Sequence, residues 1–279
     1  MLEKLLAGRW IAGPNIEDGF ITAKKVNLNK AYAILNYLGE DIEDMNDVNN
    51  TVNIYMKLID GIKRMKIKAD ISLKPTELGL EIDKDTMKRN YIKIVKHAKE
   101  KGIFVWLDME QAPFVDDTIR LYRFGLPYKN VGICIQAYLR RSMSDLRYLS
   151  KIDSTVRLVK GAYSNSSDIA FSSWADVTAN YSKLMEYLFK NFCRFTVATH
   201  DSSLINKALG LNKKYKRDVT YAMLNGIRNK YAYNLAAEGN KVSIYVPFGT
   251  AWFKYSFRRL KEEGGVRRFV SLLANFRQN

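Results

Sequence analysis

Residues 194–227 read "RFTVATHDSSLINKALGLNKKYKRDVTYAMLNGI". The stretch begins as a short β-branched run and reaches a polar tip at Thr199, His200 and Asp201. It then changes period into an amphipathic segment, "SLINKALGLNKKY" (203–215). A second β-branched run, "VTYAMLNGI" (219–227), follows. A strand, a helix and a strand in immediate succession make a βαβ unit with parallel strands.

Working outward, the same unit recurs. Preceding runs are "AYAILNYLGED" (31–41), "ADISLKPTELG" (69–79), "IFVWLDMEQ" (103–111), "VGICIQAYLRRS" (131–142) and "TVRLVKGAYS" (155–164), and "KVSIYVPFGT" (241–250) closes the series. Amphipathic helices such as "MKRNYIKIVKHAKEKG", "WADVTANYSKLMEYLFKN" and "NKYAYNLAAEGN" lie between them, the last ending at a glycine. Eight strand-then-helix units predict an α/β fold, a (βα)₈ barrel forming one domain over residues 1–279. A doubly wound sheet is the alternative, and it lacks a G-x-G-x-x-G after an early strand. Residues 1–30 precede the first strand and are expected as a helical extension that caps the barrel base or packs along its side. The helix after the eighth strand is expected over the barrel mouth.

Composition narrows the class. The 279 residues are 47% hydrophobic, with 5 prolines and 16 glycines, which supports a packed core rather than disorder. "MLEKLLAGRWIAGPNIED" at the start is dotted with charge and does not read as a signal peptide, and no apolar run reaches bilayer length. Cys134 and Cys193 both lie in apolar runs and are expected to be buried thiols in a reducing, cytoplasmic setting. The net charge is +16, but the cations are scattered over helical faces and no nucleic-acid-binding module accompanies them. Nucleic acid is therefore not expected as a partner.

In a (βα)₈ barrel the chemistry collects at the C-terminal strand ends. Here those ends carry Glu40, Lys74, Asp108 with Glu110, Gln136, Arg157 with Lys160 and Tyr163, Thr199 with His200 and Asp201, and Tyr245. Only the seventh, "MLNG", offers mainly an apolar side chain, Leu224. Of Asp108 and Glu110, one is expected to face into the barrel. No His/Cys/Asp cluster has metal spacing, and G-x-S-x-G is absent. The remaining set is rich in cations (Lys74, Arg157, Lys160, Arg258, Arg259) and tyrosines (Tyr163, Tyr245, Tyr255). Gly161 in "KGAY" permits close backbone approach, which suits a phosphate-bearing ligand. After the eighth strand, Trp252, Tyr255, Arg259 and Glu262 share a helical face, and Arg258 and Glu262 form an i,i+4 pair. Two adjacent guanidiniums over a barrel mouth would grip a carboxylate. The residues alone thus point to a metal-free barrel enzyme for an anionic small molecule.

Six blocks, "YLGED", "SLKPTELGL", "WLDME", "IQAYLRRSMSDL", "RLVKGAY" and "YVPFGTAWFKYSFRRLKEE", resemble the successive motifs of the proline dehydrogenase (proline oxidase) family, in the family's order. The resemblance implies a distorted (βα)₈ barrel that binds FAD non-covalently at the strand C-termini. It also implies oxidation of L-proline to Δ1-pyrroline-5-carboxylate by hydride transfer to flavin N5, with a quinone as acceptor. By the same resemblance Arg258 and Arg259 hold the substrate carboxylate with Lys74 assisting, and Tyr163, Leu224 and Tyr245 wall in the ring. Asp108 lies near the amine or orders the cations around it. Arg157 sits by flavin N5 and Gln136 by the isoalloxazine. Lys160, Gly161, Ala162, Thr199 and His200 line the rest of the cofactor, and Glu262 braces the arginine helix. An aldehyde dehydrogenase domain is not recognised, so the resemblance is to monofunctional members that hand their product to a separate pyrroline-5-carboxylate dehydrogenase. The positive charge suits peripheral contact with an anionic membrane, such as the inner face of the cell membrane. The chain departs from the family's pattern at Thr220 and Ala222 of "TYAMLNG", at Ser164 and at Phe248. These departures bear on substrate preference, for instance hydroxyproline, or on a member without catalysis.

Overall fold

A computed structural model describes residues 10–39, 42, 44–161, 163 and 165–251. Its strands are β1 (Tyr32–Leu38), β2 (Ala69–Leu73), β3 (Val105–Leu107), β4 (Val131–Gln136), β5 (Val156–Val159), β6 (Arg194–Ala198), β7 (Asp218–Leu224) and β8 (Lys241–Gly249). All pair in parallel, each with its sequence neighbour, and β8 returns to β1 to close the barrel. The helices are α1 (Ile16–Leu28), α2 (Met45–Arg64), α3 (Lys84–Lys101), α4 (Val115–Gly125), α5 (Ser142–Leu149), α6 (Trp174–Asn191), α7 (Ser202–Tyr215) and α8 (Asn229–Ala237). The strands are shorter than the apolar runs suggest, because each run spills into the loop that follows it. β3 keeps only three residues.

Strand alternation sorts every side chain to one of two surfaces. Ala33, Leu35, Ile71, Leu73, Val105, Leu107, Val156, Leu158, Val197, Tyr221, Ile244 and Val246 face the helices and join one continuous core. The intervening positions face the lumen: Ile34 and Asn36, Asp70 and Ser72, Trp106, Gly132 and Cys134, Arg157, Thr196, Thr220 and Ala222, Ser243 and Tyr245. The register places Asn36 beside Ser72, Ser72 beside Trp106, Cys134 beside Arg157 and Arg157 beside Thr196. The lumen is consequently polar where the helix side is apolar.

Local chemistry fixes the helices against this wall. Asp44, Asp83, Ser173 and Asp201 cap α2, α3, α6 and α7 by accepting backbone N–H bonds, and Gly102 ends α3 in the left-handed region. α1 lies along the side of the barrel rather than under its base. It packs on β1 and β8, where Gly19 meets the Phe248 ring, and its Phe20 reaches across Gly61 of α2. A Cβ on Gly61 would stand 2.1 Å from that ring. The outer groove between β8 and β1 is filled in this way by the segment before the first strand. The segment expected over the mouth (252–279, with Trp252, Tyr255, Arg258, Arg259 and Glu262) lies outside the described residues, as do Glu40, Ala162 and Ser164.

Removing the Phe20 ring should expose this seam. Phe20→Ala is expected to destabilise the protein by about 3–5 kcal/mol, read as a lowered urea midpoint with an unchanged slope.

Candidate active site

At the C-terminal end of the lumen, Arg157 of β5 and Asp108, the residue after β3, form an ion pair in which the guanidinium is 3% exposed. Three strands supply the carboxylate's other partners. Ser72 Oγ donates to Oδ1 at 2.9 Å, Tyr245 Oη donates to Oδ2 at 2.7 Å, and Cys134 Sγ stands 3.4 Å from Oδ1. Burial would raise the Asp108 pKa, but Arg157, Lys74 and the Tyr245 and Ser72 hydrogen bonds overcome it and hold the carboxyl below its ordinary value. The guanidinium also donates from Nε to Cys134 Sγ at 2.9 Å and from Nη2 to Ser72 Oγ at 2.9 Å. It lies 4.9 Å from the Trp106 ring centroid and 5.3 Å from that of Tyr245. Its Nη1 is buried without a partner among the described residues. Burial pushes the Cys134 thiol up to about 12, so it stands protonated.

Beside this pair, Lys74 follows β2 and gives two of its N–H donors to Glu77 Oε1 (2.8 Å) and Asn36 Oδ1 (3.1 Å). Burial works against its charge, yet Glu77 and Asp108 raise its pKa, so it stays cationic. The loop that carries it is pinned by Glu110, which accepts from Thr76 Oγ1 at 2.7 Å and Thr76 N at 3.0 Å. Asp108 meets Ser72 and Tyr245 at the mouth, whereas Glu110 binds the neighbouring loop at Thr76. The two part company because β3 ends at Leu107, and not through alternation along a strand, on which residues two apart would share a face.

Further round the rim, Lys160 sits 3.5 Å over the Trp174 ring and donates to Thr178 Oγ1 (3.1 Å) and Asp201 Oδ2 (3.2 Å). Burial lowers its pKa despite Asp201. Gly161 has φ +104°, and a Cβ there would stand 2.1 Å from the Tyr138 ring, so both backbone and packing require glycine. Leu224 N donates to His200 Nε2 at 2.9 Å, which leaves the proton of a neutral ring on Nδ1. Thr199 Oγ1 accepts from Asp201 N, and Gln136 Nε2 donates to Met109 O at 3.0 Å. Gln136 Oε1, like Arg157 Nη1, is buried without a partner among the described residues.

The structure therefore gathers Lys74, Asp108, Gln136, Arg157, Lys160, Gly161, Tyr163, Thr199, His200, Leu224 and Tyr245 at or just inside the C-terminal end of the barrel. Arg157 and Tyr245 are not strand tips, however. They sit within β5 and β8 with their side chains in the lumen. Cys193 is exposed, against the expectation of a buried thiol, because it lies in the turn between α6 and β6. Asn36, Ser72, Trp106, Cys134 and Glu77 were not among the expected site residues. Inward parity is the signal that finds the first four, once the outward apolar set is assigned. Among the described residues no cluster of three or more His, Cys, Asp or Glu could hold a metal ion, and no helix is long and apolar enough to cross a membrane.

Fold and site together define a (βα)₈-barrel protein whose C-terminal mouth is ordered by buried, paired charges. The proline dehydrogenase family profile matches residues 21–272. Proline dehydrogenase 1 of Bacillus subtilis is 31% identical over 271 residues, which is 96% of this chain and 90% of that protein. The proline dehydrogenase of Deinococcus radiodurans is 34% identical over 276 residues, covering 95% and 88%. The chain belongs to the proline dehydrogenase family. Its fold is similar to that of proline utilization A from Bdellovibrio bacteriovorus inactivated by N-propargylglycine, with a TM-score of 0.85 and 24% identity over 92% of this chain. The chain spans only 32% of that longer protein.

Glu110 makes a measurable prediction. Burial, only partly offset by Thr76, pushes its carboxyl from 4.5 to about 7. The folded protein then holds a proton that the unfolded chain has already released across this window. The group's stabilising contribution is complete below the unfolded value and is lost as pH rises towards 7. Glu110→Gln should remove this slope and gain up to about 3 kcal/mol relative to the parent at pH 8, measured by urea unfolding from pH 4.5 to 8.

Proposed function

We propose that this protein oxidises L-proline to Δ1-pyrroline-5-carboxylate at the barrel mouth, with FAD held non-covalently there. Family membership over nearly the whole chain supports the reaction. The observation that carries the cofactor reading is the pair of buried groups at the mouth without a partner among the described residues, the donor Arg157 Nη1 and the acceptor Gln136 Oε1. An isoalloxazine edge carries both acceptors and an N–H, so one ring could satisfy both groups. FAD bound there would supply the hydride acceptor at N5 and pass the electrons on to a quinone.

The chain's own residues supply position and field. Arg157 would face the ring's reactive edge and Gln136 its polar edge, while Lys160, Gly161, Ala162, Thr199 and His200 line the remainder. Arg258 and Arg259 would take the substrate carboxylate as a bidentate pair, with Glu262 bracing their segment and Lys74 adding charge. Tyr163, Leu224 and Tyr245 would enclose the pyrrolidine ring and exclude water. Asp108 holds Arg157 and Tyr245 in place instead of meeting the substrate amine. The surrounding cations disfavour an ammonium, so the amine would bind deprotonated without a dedicated base. Lumen-facing Thr220 and Ala222 are small, which favours a second reading in which the pocket also admits a hydroxylated proline. The +16 charge supports peripheral contact with an anionic membrane surface near the quinone pool, and the product would pass to a separate dehydrogenase.

Purified protein should show flavin absorbance that bleaches when L-proline is added anaerobically. A colourless preparation that gains no activity with added FAD would overturn the proposal. Arg259→Met should raise KM for proline by about 100-fold or more, the loss of a charge-assisted bidentate contact, and leave FAD affinity within about threefold. Equal loss of both would contradict the carboxylate role.

A further inference from the structure

Arg157 has five N–H donors, and the structure assigns three of them. Nε is held by Cys134, and Nη2 by Ser72 and Asp108. Hydrogen bonds at one edge leave a planar fork free to rock about that edge. Two rings limit this: Tyr245, at 5.3 Å and itself hydrogen-bonded to Asp108, and Trp106 of β3, nearer at 4.9 Å. Trp106 is not part of the helix-side core; its outward neighbours Val105 and Leu107 are. It is 5% exposed and its Nε1 donates to Asp70 Oδ2 of the neighbouring β2 at 3.1 Å. Facing it on β4 is Gly132, where a Cβ would stand 2.6 Å from the indole. The indole is thus fixed at its nitrogen by one lumen carboxylate and admitted by the missing side chain opposite.

We propose that Trp106 is a positioning residue of the reaction: the Asp70-anchored, Gly132-seated indole supports the Arg157 guanidinium and thereby presents Nη1 to the cofactor. Trp106 does not touch substrate or flavin; it acts through Arg157. A cation over an indole is the strongest pairing of its kind and gains from desolvation, while its direction fixes the plane of the cation. Removing the indole leaves the ion pair intact and lets its free edge move. The consequence falls on the electron affinity of the bound ring and on the hydride step, and little of it on proline binding. The inference rests on the flavin reading above.

The test uses the FAD-loaded full chain with four variants, Trp106→Leu, Trp106→Phe, Gly132→Ala and the double Trp106→Leu/Gly132→Ala. Flavin content and L-proline bleaching of the parent decide the flavin reading by themselves. The variants decide this one, through flavin midpoint potential, kcat and KM. Trp106→Leu is expected to make the potential more negative and to lower kcat about tenfold, the loss of a desolvated cation–π contact, with KM within about threefold. Trp106→Phe, which keeps a ring, should recover most of the loss. Gly132→Ala should reproduce it with the tryptophan still present, and the double variant should be no worse than Trp106→Leu. Parent-like potential and kcat in Trp106→Leu would overturn the proposal. So would additive losses in the double variant, or kcat, KM and unfolding midpoint falling together in every variant. If Trp106→Leu does not fold, the contrast between Gly132→Ala and Trp106→Phe decides the matter alone.

Discussion

The organisation of the mouth follows from one buried ion pair, Arg157 with Asp108. Two charges taken out of water cost several kcal/mol each after relaxation, and their attraction offsets this only where geometry is good and the remaining polar atoms are satisfied. The surroundings meet that condition residue by residue. Ser72, Tyr245 and Cys134 converge on the carboxylate, Cys134 and Ser72 on the guanidinium, and two rings flank the cation. Among the described residues Nη1 is left without a partner, and it is the part of the pair that a ligand could complete.

The barrel supports this pair by keeping two chemistries apart. Each strand gives its apolar side chains to the helix layer and its polar ones to the lumen, and closure by β8 against β1 brings Tyr245 to Asp108. Asp201 illustrates the economy of the rim. One oxygen caps α7 and the other holds Lys160, so the polarity of a helix terminus and the placement of a site cation depend on one carboxylate. Burial lowers the Lys160 pKa while Asp201 opposes it.

Most of the architecture could be read from the sequence because βαβ repetition is local. Each period change from 2 to 3.6 occurs within a few residues, and the polar tips follow immediately. Lys74, Thr199, His200 and Leu224 were legible for that reason, as were the ordered motifs of the family. Arg157 and Tyr245 were recognised as site residues but misplaced at strand ends, since strand length depends on the neighbouring strand. Cys193 looked buried because its neighbours are apolar, but the turn between α6 and β6 leaves it exposed. Trp106 stands in an apolar run, and only its lumen-facing parity distinguishes it from Val105 and Leu107.

The sequence by itself determined the fold class, the order of the strands, the family and the kinds of residue at the mouth. These rest on periodicity, turn chemistry and ordered motifs, which are properties of short segments. Tertiary structure decided which side chains meet. Arg157 finds Asp108 across 49 residues of chain, Ser72 across 85, and Tyr245 reaches Asp108 across 137. Contacts at such separations are set by barrel register and closure, and no local pattern encodes them.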